Sequence, residues 1–116
     1  MSKTFKNTLK TFKSNITGEE KEYIVNNAIW GHMKSMFNLE QKEFDKAIEE
    51  GNHEAIGKFT TAVLISNGLD VTYEEVMENT DPKTIIKFYT SYFAVAYRND
   101  SELQKTVELV TNNYQK

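Results

Sequence analysis

Apolar positions recur along this chain at spacings of three and four, as at Ile56, Phe59, Val63 and Leu64 and again at Leu103, Val107, Val110 and Tyr114. That spacing gathers side chains on one face of a helix, whereas a half-buried strand would alternate. No Asn-Gly or Asp-Gly pair separates two alternating runs, since Asn67-Gly68 follows a helical pattern. The pattern therefore predicts an all-α fold: a compact bundle of about five or six helices.

Start and stop signals place those helices near 18–37, 39–50, 53–67, 73–79, 82–98 and 102–114. Thr17 with Glu20 and Thr72 with Glu75 have the spacing of capping boxes, and Asn38 with Gln41 is a weaker version. Asn52 stands ready to cap a helix just after Gly51 closes the one before. Asp81-Pro82 puts a cap before a proline at the first helical position, where the missing N–H costs nothing. Ser101 with Gln104 opens the last helix.

Residues 1–16 stand apart as a basic arm, ahead of a single helical domain over 17–116. The arm holds Lys3, Lys6, Lys10 and Lys13 and no acid, although the whole chain has net charge −3. Phe5, Leu9, Phe12 and Ile16 would form one apolar stripe if the arm were helical. Its Thr, Ser and Asn residues are indifferent helix formers, so it should order only on a surface. A neighbouring copy would offer one, with the lysines facing an acidic body. The four apolar residues are thus the expected oligomer interface.

Two helices carry more apolar arc than one small core needs. In 82–98, with Phe88 at zero and about 100° per residue, nine residues from Val95 round to Tyr97 fill about 200°. The helix is therefore either central to the bundle or exposes an aromatic strip: if Phe88 and Tyr92 face the core, the flank of Tyr89, Phe93 and Tyr97 turns to solvent or to a partner. In 18–37, Val25, Ile29, Trp30, Met33, Met36 and Phe37 make a second broad arc. Met33 and Met36 either fill the core, the commoner use of such methionines, or, being adaptable, meet varied apolar clients. These five residues, three aromatic and two methionine, form the expected client surface. The core should include Ile29, Trp30, Phe59, Val63, Leu64, Ile85, Phe88 and Tyr92.

Composition narrows the chemistry. At 116 residues the chain fits one domain, and without cysteine it has no disulfide, thiol nucleophile or thiolate metal site. The longest apolar run, Ala62 to Ile65, cannot span a bilayer, and no signal-peptide pattern opens the chain. A soluble intracellular protein with no membrane partner is expected. A pI near 5.4 argues against nucleic-acid binding. Glu74, Glu75 and Glu78 would repel phosphates from any helix-turn-helix over 55–76. His32 and His53 form no H-E-x-x-H pattern, the acidic pairs sit at helix ends, and the glycines are scattered. Neither a catalytic group nor a cofactor site emerges, and a non-enzymatic binding role is expected.

From Asn38 to Tyr97 the chain resembles a known family. Gly51-Asn52-His53-Glu54-Ala55-Ile56 leads a helix ending at Gly68, Val71-Thr72-Tyr73-Glu74-Glu75-Val76 makes a short capped helix, and Asp81-Pro82 opens a long apolar one. This size and helix order resemble the small tail assembly chaperones of long-tailed phages, particularly the tape measure chaperones of phages infecting lactococci and related bacteria. The resemblance implies a protein that binds the helical, apolar tape measure protein and keeps it soluble until the tail tube polymerises. It implies action in the cytoplasm of the infected host and absence from the mature virion. It assigns no residue to the client. Many family members open with a strand-like segment, whereas residues 1–16 give no clear hairpin signal. The alternative reading is a structural virion component such as a head–tail adaptor.

Overall fold

Residues 9–97 are described by the computed structural model, so Phe5 and the expected helix over 102–114 lie outside the described residues. The chain is mostly helical, with one small sheet. Two strands, β1 (Thr11–Ser14) and β2 (Lys21–Ile24), precede five helices: α1 (Ala28–Phe37), α2 (Gln41–Glu49), α3 (His53–Ser66), α4 (Tyr73–Asn79) and α5 (Pro82–Ala96).

The hairpin corrects two expectations at once. Residues 18–27 do not begin a helix, and residues 11–16 are not an arm separate from the body. The strands pair antiparallel, with Phe12 opposite Tyr23 and Ser14 opposite Lys21. Gly18, at a φ of 98°, closes the turn by donating its N–H to the Asn15 carbonyl at 2.9 Å. A residue with a Cβ rarely takes that backbone conformation. The Thr17–Glu20 spacing imitates a helix cap, but tertiary packing decides the segment. Phe12 and Tyr23 share one face of the hairpin, and both rings reach Phe88 of α5, at 5.2 and 5.5 Å between centroids. Both are buried, which outweighs the helix preference of Glu20, Lys21 and Glu22. The all-α expectation therefore holds for residues 28–96 and fails for the hairpin.

Helix α3 is the centre of the molecule, and α1, α2, α4 and α5 all pack against it. It is buried from Ala55 to Leu64 apart from half-buried Lys58, as expected for a helix enclosed on nearly every side. Its buried Thr60 and Thr61 hydroxyls donate to the Ile56 and Gly57 carbonyls at 2.9 and 2.8 Å, so neither is orphaned. Around it, the core includes seven of the eight expected residues. Trp30 is the exception: half-buried, it rests edge-on against Phe44.

Beyond the hairpin, the described caps follow the sequence signals closely, with one shift. Asn52, Thr72 and Asp81 each accept a backbone N–H three residues on, and Glu75 completes the Thr72 box. Asn38, however, closes α1 in the left-handed conformation, at φ 52°, instead of opening α2. The box belongs to Glu40 and Glu43. An asparagine tolerates the left-handed region better than most residues, so it serves as the stop.

Candidate functional site

The expected client surface divides between interior and exterior. Met33 is fully buried and Tyr89 is 2 % exposed, so neither presents itself to a client. Met33 lies on the face of α1 that meets α3. Tyr89 is covered because α5 is packed on two flanks: the hairpin takes Phe88 and Tyr92, while α2 and α3 take Tyr89 through Phe44 and Phe59. The burial of Tyr89 fits the reading of α5 as a helix central to the bundle and removes this ring from the exposed strip. Met36 is 40 % exposed but stands on α1, away from the aromatic row. Phe93 and Tyr97 keep partial exposure.

The expected oligomer stripe is likewise taken apart. Phe12 is a core residue of its own chain and so is not available to a neighbouring copy, while Ile16 packs against that core and keeps partial exposure. Leu9, at 53 % exposure, is the most open of the described members.

What remains is a continuous line of rings running from the core to the surface. Phe59 meets Tyr92 at 4.9 Å and Tyr89 at 5.2 Å, both edge to face. Tyr89 then meets Phe93 at 5.5 Å, and Phe93 meets Tyr97 at 4.6 Å. Edge-to-face and tilted contacts at these separations are individually favourable. Tyr92 is further fixed by its hydroxyl, which donates to the Asn26 carbonyl at 3.3 Å. The outer two rings therefore sit on a rigid base.

These rings floor a groove of about 320 Å³ between α2 and the C-terminal half of α5. Tyr89, Phe93 and Tyr97 contribute from α5; Gln41, Asp45, Ile48 and Glu49 contribute from α2. Two larger depressions, about 520 and 590 Å³, adjoin the hairpin turn, but neither contains an aromatic row. The groove is acidic as well as aromatic. Partial burial, then the charge of Glu49 one turn away, push the Asp45 carboxyl up from its ordinary value. Burial and then the Asp45 charge push the Tyr97 hydroxyl up in turn. The role of α2 in this wall was missed in the sequence, where the Glu49-Glu50 pair read as helix-end charge and Asp45 was not singled out. The like-charged pair at Asp45 and Glu49, spaced i and i+4, was the available signal.

Among the described residues no group of three or more His, Asp or Glu side chains could hold a metal ion, and no helix is long and apolar enough to cross a membrane. Comparison with protein-family models, with curated proteins and with solved structures finds no match to this chain.

Proposed function

We propose that this chain is a phage tail assembly chaperone that binds the helical, hydrophobic tape measure protein and keeps it soluble before the tail tube polymerises. The observation that carries the reading is the aromatic row ending in half-exposed Phe93 and Tyr97, floored by buried Tyr89. A groove between two helices with apolar anchors one turn apart suits the face of an amphipathic helix. Aromatic rings already held by their neighbours cover large area with little rotamer freedom left to lose. The hairpin at the start of the body adds support, because a strand-like opening is a feature of the family that the sequence from Asn38 to Tyr97 resembles. The protein acts in the host cytoplasm on this reading and leaves before the virion matures.

The test is co-expression with the tape measure protein encoded by the same phage. Phe93→Ser with Tyr97→Ser replaces the two half-exposed rings and spares buried Tyr89, so the fold should survive. Loss of client solubility with unchanged circular dichroism supports the site, and undiminished rescue removes it. Recovery of the chain from infected-cell lysate but not from purified virions separates a chaperone from a structural virion component.

A further inference from the structure

The client groove has a charge of its own that an apolar helix alone leaves uncompensated. Asp45 and Glu49 stand one turn apart on its α2 wall, and among the described residues no lysine or arginine lines it. Lys42 and Lys46 share the adjoining outer depression of α2 with both acids. Neither acid is within ion-pair distance of a cation among the described residues. The two carboxylates repel each other, and after burial, the larger cause, the charge of Glu49 adds to the rise of the Asp45 carboxyl and that of Asp45 to the rise of the Tyr97 hydroxyl.

We propose that this groove selects, among amphipathic helices, those carrying a lysine or arginine beside the apolar face, with Asp45 and Glu49 as the residues that read the cation. The inference rests on the client-binding reading above and adds a specificity to it. Tyr89, Phe93 and Tyr97 follow one another at i, i+4 and i+8, a row about 12 Å long at the helical rise. An occupant of two turns or more thus seats two apolar anchors on the rings and brings a cation over the α2 wall. The partly exposed faces of Phe93 and Tyr97 favour that cation further. A helix with acidic or purely apolar flanks meets two carboxylates that lose water and gain no partner, and is discriminated against.

The experiment uses the full chain and two synthetic helical peptides with the same leucine face, one flanked by lysines and its twin by glutamates. Fluorescence anisotropy should give the lysine peptide about tenfold tighter binding, a margin that shrinks as salt is raised. Asp45→Asn with Glu49→Gln, both at exposed positions, should bring the two peptides within about twofold of each other. Phe93→Ser should weaken both. Twins that bind equally to the wild-type chain, while Phe93→Ser weakens both, overturn the charge selectivity and leave the apolar client site standing. A lysine preference that survives the double variant places the cation reader elsewhere and overturns the assignment. Binding of neither peptide overturns both readings.

Discussion

The side-chain amide of Asn67 takes the place of a third strand beside Ile24. Its Oδ1 accepts the Ile24 N–H at 2.8 Å, and its Nδ2 donates to the Ile24 carbonyl at 3.3 Å and to the Val63 carbonyl at 2.9 Å. The register makes this necessary. Val25 donates to the Lys10 carbonyl, so the polar groups of Ile24, one residue earlier, point away from β1 to the open edge. One residue at the end of the central helix thus occupies part of an edge that would otherwise invite another strand.

Asn67→Ala should therefore cost about 0.5–1.5 kcal/mol, the net worth of a typical hydrogen bond, because the Ile24 groups it releases are exposed to water. Asn67→Asp should do no better, because a carboxylate cannot donate to the Ile24 and Val63 carbonyls. Urea unfolding gives the magnitude. Faster hydrogen exchange at the Ile24 amide in either variant would locate the loss at the hairpin edge.

Phe12→Ala tests whether the N-terminal hairpin belongs to the body. Phe12 is 6 % exposed and touches Tyr23, Phe88 and Tyr92. A loss of about 3–5 kcal/mol is expected, as for a core ring. If the segment instead served only a neighbouring copy, the variant would keep its unfolding midpoint at low concentration and lose mass by light scattering.

Gly57 sits where α4 comes closest to α3. A Cβ there would collide with Met77 Sδ and come within 3.1 Å of Tyr73 Cε1. Glycine-to-alanine in a helix interior ordinarily gains stability, so a loss is diagnostic of the contact. Gly57→Ala should cost about 1–2 kcal/mol, at the low end for overpacking because the methionine tip can move. Adding Met77→Ala should return part of that loss in a double-mutant cycle.

Alkaline pH should destabilise the fold. Tyr23, Tyr73, Tyr92 and Tyr97 all have hydroxyls pushed above the ordinary value of 10.0, in each case first by burial. The Tyr23 hydroxyl also lacks a hydrogen-bond partner within the described residues. The unfolded chain ionises first as pH rises past 10, and so holds fewer protons than the native one. Stability from these groups is complete below that pH and falls above it. Urea midpoints followed from about pH 7 to pH 11 should decline at the alkaline end. Tyr92→Phe, which also gives up the bond to Asn26, should make that decline shallower.

The helical part was legible because its signals are local. Caps at Asn52, Thr72 and Asp81 depend on residues three apart, and the spacing of Ile56, Phe59 and Val63 speaks for itself. The hairpin was not legible because its four-residue strands offer almost no alternation. Glu20, Lys21 and Glu22 favour helix, and the deciding contacts come from Phe88 and Tyr92 at the far end of the chain. The candidate site was half legible for the same reason. A helical wheel placed Phe93 and Tyr97 on an outer flank, where they keep partial exposure. It could not reveal that α2 would cover Tyr89 and bring Asp45 and Glu49 to the rim.

The packing of the hairpin on α5 also sets an order of events during synthesis. Phe12 and Tyr23 leave the ribosome early, yet the ring they share, Phe88, is made near the end of the described chain. Until then the nascent protein carries two uncovered aromatic rings on a short sheet with open edges, an arrangement prone to wrong pairings. Closure must wait for a contact of long sequence separation, which slows folding. Residues 28–66 can pack beforehand, since α1 and α2 are made just ahead of the α3 they pack on, whereas Phe12 and Tyr23 gain their Phe88 contact only once α5 exists.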